Sequence, residues 1–216
     1  MPDQVAFQGF HREAIAFFEG LARDNSKAYW EAHRAVYDEH VRAPMEALAH
    51  SLEGLFGTAH IYRPNRDLRF TKDKRPYKEH AAVTFGGRGQ RAVAGRHVHI
   101  DPEGLFVAAG AYRLEGEALA SYRRAVDVPQ AGRELEAIVA RLVDAGYDIH
   151  GEQLKRSPQG VPVDHPRVAL LRRKGLAAVR SWPLEPWLFT PEAGDRIVRV
   201  LGDAEPLVAW LRAHVN

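Results

Sequence analysis

Residues 96–112 read RHVHIDPEGLFVAAGAY, and the parsing of this stretch decides the fold. Two short runs, RHVHI and LFVAAGAY, flank Asp101-Pro102-Glu103-Gly104. In that tetrapeptide Asp, Pro and Gly occupy the first, second and fourth positions favoured in a type I turn. Two strands closed by a tight turn form a hairpin, and a hairpin pairs antiparallel. Upstream, AHIYR (59–63), RDLRF (66–70) and AAVTF (81–85) show the same grammar of short alternating or apolar runs between turn residues. GGRGQRAVAG (86–95) lacks the Lys-Ser/Thr of a P-loop and leads into a strand rather than a helix, so it reads as a glycine-rich hairpin loop.

On either side of this block the period changes to that of a helix. Phe10, Ala14, Phe17, Phe18 and Leu21 recur at helical spacing, and Trp30, His33, Tyr37, Val41, Met45, Leu48, Leu52 and Leu55 step by three or four. Asn25 or Ser26 is placed to cap the second run, Pro44 to kink or restart it, and Gly57 to end it. Helical periodicity returns at 116–126 and 129–144. Asp164 is placed to cap a helix running to Arg173, with Arg172, Arg173 and Lys174 at its negative end. LAAVRSW (176–182) reads as a last strand, SWPLEPWLFTP (181–191) as a proline-broken aromatic loop, and Ile197 to Val215 as one or two closing helices. The expectation is one α+β domain over 1–216. Helices at about 10–56 and about 116–216 flank an antiparallel sheet of about five to six strands, drawn from about 58–112 plus the later strand.

The 216 residues are 45% hydrophobic, enough for a sizeable core. There is no cysteine, which excludes disulfides, thiolate metal ligands and cysteine nucleophiles. No run of about eighteen apolar residues is present to span a bilayer, and MPDQVAFQGFHREAIAFFEG lacks the order of a signal peptide. The expectation is a soluble, cytoplasmic protein with no membrane partner. No pattern sets an oligomeric state. No Gly-x-Ser-x-Gly occurs, and the serines at 26, 51, 121, 157 and 181 read as caps or loop residues.

Net charge is only +2, but its distribution is lopsided. Residues 63–96 hold ten Lys/Arg against three acids, a surplus of seven, whereas 1–62 hold five against nine and 97–216 fifteen against sixteen. Within RPNRDLRFTKDKRPYKEH (63–80) a cation falls at every third position from Arg63 to Lys78. In RDLRF read as a strand, Leu68 and Phe70 seek the core and draw Arg66 with them, where its charge needs a carboxylate or a bound anion. Asp67 points the other way, towards Arg69. TKDKRP reads as a loop gathering Lys72, Lys74 and Arg75 before Tyr77. Guanidinium groups suit phosphate or carboxylate bidentately, lysines add point charge, and a tyrosine hydroxyl adds a donor.

Arg63-x-x-Arg66-Asp67-x-Arg69-Phe70-x-x-Asp73-Lys74-x-x-Tyr77 resembles the signature of a mainly bacterial family classed as domain of unknown function 2461. The similarity extends from about Phe10 to Val215. It includes Asn25-Ser26-Lys27-x-Tyr29-Trp30 and Leu154-Lys155-Arg156-x-Pro158-x-Gly160. The resemblance implies a single-domain protein whose signature lies on the basic stretch, and it carries over no activity, ligand or catalytic residue.

The leading functional expectation is a pocket for a small anionic ligand, phosphorylated ones first, in a binding protein or an enzyme. Arg66, Arg69, Lys74 and Tyr77 would contact the anion, with Arg63, Asp67, Phe70 and Asp73 in support. In a catalytic version Asp67 or Tyr77 would move a proton. The first rival is a nucleic-acid-binding module using the 63–96 basic stretch for phosphates and Phe70 or Tyr77 for stacking. The second is a structural ion-pair network with the functional site elsewhere. No cofactor and no metal are expected. His97-x-His99-x3-Glu103-x6-Gly110 echoes the first metal motif of cupins, but no glycine lies six residues before His97 and no second histidine motif follows. Asp164-His165 near Lys155 could suggest acid–base chemistry, against which the helix-start reading stands.

Overall fold

The computed structural model describes residues 6–69, 72–86 and 93–215. At the hairpin, β3 (Gly95–Asp101) and β4 (Gly104–Ala111) alternate as expected. Arg96, Val98 and Ile100 are buried on one face of β3, while His97, His99 and Asp101 are half-buried on the other. Asp101 Oδ1 accepts from the backbone N–H of Glu103 (2.8 Å) and Gly104 (3.1 Å), so the turn's own aspartate satisfies its donors. Gly104 has φ +134°, and a Cβ there would overlap the Trp182 carbonyl oxygen, so only glycine fits.

The six-stranded antiparallel sheet is completed by β1 (Ala59–Ile61), β2 (Ala81–Phe85), β5 (Asp148–His150) and β6 (Leu176–Trp182), in the order β1-β2-β3-β4-β6-β5. The register pairs Ala59 with Phe85 and Ile61 with Val83 at one edge, and Asp148 with Val179 at the other.

The chain groups into two compact units. The first comprises residues 1–87, 97–107 and 181–199. It contains α1 (Arg12–Arg23), α2 (Lys27–Ala32), α3 (Arg34–Val36) and α4 (Ala43–Phe56), with α4 packed on β1 and β2. Phe17, Phe18, Leu21, Met45, Leu48, Val83 and Phe85 are among its buried side chains. Ser26, not Asn25, caps α2, its Oγ accepting from Tyr29 N–H. Pro44 restarts the helix through a change of register. Proline has no N–H for the carbonyl four residues back, and a π-turn (Tyr37–Arg42) in which Ala43 N–H reaches Asp38 O precedes α4.

The second unit comprises 88–96, 108–180 and 200–216. In it α5 (Gly116–Asp127), α6 (Pro129–Asp144) and α9 (Glu205–His214) pack together around Tyr122, Leu135 and Leu211. α8 (Glu192–Asp203) precedes α9 in the chain, and a 3-10 turn (Pro186–Phe189) interrupts the aromatic loop.

Three expectations are corrected. RDLRF forms no strand over its described residues; next to it an isolated Asn65–Tyr77 bridge closes the basic segment on itself, and Phe70 lies outside the described residues. Asp67 and Asp73 each accept from the backbone N–H two residues on, at Arg69 (3.1 Å) and Arg75 (3.0 Å), and these local turns replace ladder pairing. The helix expected from Asp164 to Arg173 is only α7 (Val168–Leu171), with Arg167 at its N-cap and Asp164 exposed before it. A strand that the sequence reading did not assign, β5, closes the second edge. Of the glycine-rich loop, residues 87–92 lie outside the described residues.

Candidate ligand-binding face

The basic segment is organised by its three acids. Asp73 accepts from Arg66 Nη1 (2.5 Å) and from Arg75 Nε (3.0 Å) and Nη2 (2.7 Å), and Arg75 also reaches Glu79 Oε1 (2.5 Å). Asp67 holds Arg69 through Nε (2.9 Å) and Nη2 (2.7 Å). Arg66 pairs with Asp73, and Asp67 with Arg69, although the strand on which both expectations rest does not form. Hydrogen bonds from the Arg69 and Arg75 guanidinium groups hold the Asp67 and Asp73 carboxyls well below the usual carboxylate range. Lys74 Nζ donates to Leu68 O (3.1 Å) and Lys78 Nζ to Arg63 O (2.9 Å), while Arg63 and Lys72 are exposed.

Tyr77 anchors the segment. Its ring is 7% exposed and stacks on Trp30 with centroids 4.5 Å apart and planes 9° apart. Asn25 clamps the same residue from both sides, accepting from Tyr77 N–H (2.9 Å) and donating to Tyr77 O and to Glu79 Oε1 (3.2 Å each). The two stretches Asn25–Trp30 and Arg63–Tyr77 thus dock on one another through a polar clamp and a ring stack. The structure brings Arg66, Asp73, Arg75, Glu79, Asn25 and Tyr77 into one connected network and gathers Asp67 with Arg69 in a separate exposed pair.

Beyond Tyr77 the chain runs onto the half-buried face of β3. Lys78 Nζ lies 5.0 Å from the centre of the Tyr62 ring. His80 stacks on His99 (4.9 Å, 29°), His99 stacks on Phe106 (5.5 Å, 28°), and Tyr62 meets His97 edge-on. Burial, then the like charge of His99, Lys78 and Arg66, pushes His80 down to about 4, with Asp101 opposing. Burial, then His99 and His80, does the same to His97. Burial and Arg63 lower Lys78. His99 Nε2 is held by Asp101 Oδ2 at 2.8 Å, a carboxylate-oriented imidazole in the wall of a cavity of about 280 Å³ shared with Phe106, Ser181, Trp182 and Pro183. Such an arrangement can hold an anion against its donors, seat an apolar body between Phe106 and Trp182, and move a proton through His99.

His97 and His99 do not gather a third ligand: among the described residues, the group whose donor atoms come within 4.8 Å of one another is His11, Glu13 and His40. His165 lies beside Asp127 Oδ1 (3.1 Å). Arg172, expected only to complement a helix dipole, donates to the carbonyls of Leu154 (2.8 Å) and Lys155 (2.9 Å) and so pins the Leu154–Gly160 motif. Sequence reasoning missed His80 as the stacking partner of His99 and Lys78 as a charge acting on His80, because no spacing links these positions. The available hint was the HxH pattern at 97–99 following a cationic run.

The family model described as "Conserved hypothetical protein (DUF2461)" matches residues 13–210, and the chain belongs to that family. No curated protein matches it. No helix among the described residues is long and apolar enough to cross a membrane.

Proposed function

We propose that this member of the family binds a small anionic ligand, a phosphoryl or carboxylate compound, on the half-buried face of β3. The observation that supports this is an unbalanced charge beside a cavity. Residues 63–80 hold seven cations (Arg63, Arg66, Arg69, Lys72, Lys74, Arg75 and Lys78) against three carboxylates (Asp67, Asp73 and Glu79), a surplus of four. The three carboxylates are engaged by Arg66, Arg69 and Arg75. Lys78 is left resting on a carbonyl oxygen beside His80, whose imidazole is held neutral partly by that positive charge. An anion arriving there relieves repulsion rather than breaking a pair.

In this reading Lys78 and His80 take the anionic group, and the His99–Asp101 pair lines the cavity for the rest of the ligand. Arg66, Arg69 and Lys74 supply the surrounding positive potential, and an incoming dianion competes with their exposed partners. Asp73 ties the segment together through Arg66 and Arg75, and Tyr77 docks it on Asn25 and Trp30.

The test is thermal denaturation at pH 7 with inorganic phosphate, pyrophosphate or chloride at matched ionic strength. Phosphate or pyrophosphate should raise the melting temperature of the wild type and of Lys72→Gln but not of Lys78→Gln or His80→Asn. No anion-specific rise in the wild type, or an unchanged rise in both variants, refutes the reading. A nucleic-acid role would instead show single-stranded DNA binding that falls steeply with salt.

A further inference from the structure

Away from the sheet, the N-terminus of α1 faces the π-turn, and two histidines from these elements meet there. His11, the N-cap of α1, and His40, within Tyr37–Arg42, place their Nδ1 atoms 2.9 Å apart. Glu13, in the first turn of α1, brings a carboxylate oxygen into the same cluster, all donor atoms lying within 4.8 Å of one another. We propose that His11, Glu13 and His40 form a binding site for a divalent transition-metal ion, with Zn²⁺ and Co²⁺ as fitting occupants and water filling the remaining coordination.

The chemistry is specific. Two imidazole nitrogens and one carboxylate oxygen are a borderline-soft donor set that selects zinc, cobalt, nickel or copper over magnesium and calcium. Two Nδ1 atoms at 2.9 Å share one proton, one ring donating and the other accepting. An ion taking both Nδ1 atoms shifts that proton to an Nε2. Glu39 is the nearby carboxylate that can take that proton: its Oε2 lies 3.9 Å from His40 Nε2, beyond hydrogen-bond distance, and would close on it as an outer carboxylate once the ion binds. Both imidazoles are half-buried while Glu13 is exposed, so the site has a pre-shaped inner side and an open outer one.

The charge balance also fits. A helix N-terminus repels a cation, and the Glu13 carboxylate offsets that repulsion. Arg12, the nearest cation in sequence, is turned away, its guanidinium 4.1 Å over the Phe189 ring. The location has a structural meaning too. A π-turn is a costly irregularity that recurs at functional sites, and an ion here would clip it to the start of α1 across 29 residues of chain. Such a clip would stabilise the fold by mass action.

The experiment uses the full chain after chelator treatment, titrated by calorimetry with ZnCl₂, CoCl₂ and MgCl₂. Stoichiometric binding of zinc and cobalt but not magnesium is expected. At a hundredfold excess over Kd, zinc should raise the melting temperature by roughly 5–10 °C. Bound cobalt should show the visible bands of a low-coordinate N/O site. His11→Ala and His40→Ala should abolish binding, and Glu39→Gln should weaken it about tenfold. Wild type that binds neither zinc nor cobalt overturns the proposal, as does binding that survives both histidine substitutions. Should either variant fail to fold, imidazole NMR of the wild type decides: zinc must shift the His11 and His40 signals selectively, and an unselective or absent shift overturns it.

Discussion

Lowering the pH from 7 to 5 should cost the wild type about 3 kcal/mol of stability, and His80 and His97 should account for it. Both are held neutral by burial, with folded values of about 4, whereas an unfolded histidine titrates near 6.5. Between about pH 4 and 6.5 the unfolded chain therefore takes up protons that the folded imidazoles refuse, and stability falls as pH falls. Integrated from pH 7 to 5, one such histidine contributes about 1.8 kcal/mol. His97 is credited with that amount and the less enclosed His80 with about 1 kcal/mol after allowance for solvent screening. For a chain of this size the total corresponds to a drop of roughly 6–12 °C in melting temperature. Asp67 and Asp73, whose values are depressed, lose their contribution only at lower pH, so the two windows separate. The assay is urea unfolding at pH 7, 6 and 5 followed by tryptophan fluorescence, on the wild type and on His80→Asn with His97→Asn. The double variant should be nearly flat across this range. A double variant as pH-dependent as the wild type, or a wild type flat from 7 to 5, refutes the reasoning. Phosphate bound beside His80 should shrink the wild-type slope, because a neighbouring anion raises that histidine's affinity for its proton.

Asn25→Ala should destabilise by about 2–3 kcal/mol, because it strips the hydrogen bonds from both backbone groups of Tyr77 and from Glu79. Lys27→Ala, in an exposed pair with Glu31, should change stability by less than about 0.5 kcal/mol; urea midpoints compare the two. Asp73→Asn should lower the melting temperature more than Asp67→Asn, since Asp73 joins Arg66 to Arg75 whereas Asp67 serves Arg69 alone; equal effects would show that the Arg66 pairing carries no weight. Glu205→Ala should cost about 3 kcal/mol by taking a carboxylate from Arg96, which is 3% exposed, and Glu205→Gln should cost less; chemical denaturation of both variants checks the order.

The hairpin at 96–112 was legible because two signals agreed: short runs on either side and the Asp-Pro-x-Gly pattern of a type I turn, whose aspartate in the structure also satisfies the turn's backbone. The helices at 12–23, 43–56, 116–127 and 129–144 were legible from periodicity, which depends only on local spacing. RDLRF was misread because its alternation is real, yet Asp67 and Asp73 offer their own backbone closer partners than a neighbouring strand does. The strand Asp148–His150 was invisible, being three residues long with exposed ends and no apolar pattern. Of the candidate site, the Asp67–Arg69 pair was legible from adjacency, and Arg66's need for a partner from the apolar residues around it. Which carboxylate answered that need was not, since Asp73 reaches Arg66 only after the loop has folded. His80 on His99 and His11 beside His40 are juxtapositions made by tertiary packing, and no motif encodes them.

This difference in origin separates the signature's residues by what they do. Arg66, Asp73 and Tyr77 are committed to partners within the protein, and their docking on Asn25 and Trp30 fixes where the segment leaves the helical layer. A residue committed in this way is needed for the segment to fold whether or not a ligand exists. The surplus cations are different: no fold requires seven positive charges against three negative ones in eighteen residues, and their mutual repulsion opposes folding. In the proposed reading, an anion joins this charge beside the half-buried imidazoles of His80 and His97. Neutralising Lys78 should therefore leave the ligand-free protein as stable as the wild type, or more so, while removing its response to phosphate. Neutralising Asp73 should weaken the fold with or without phosphate.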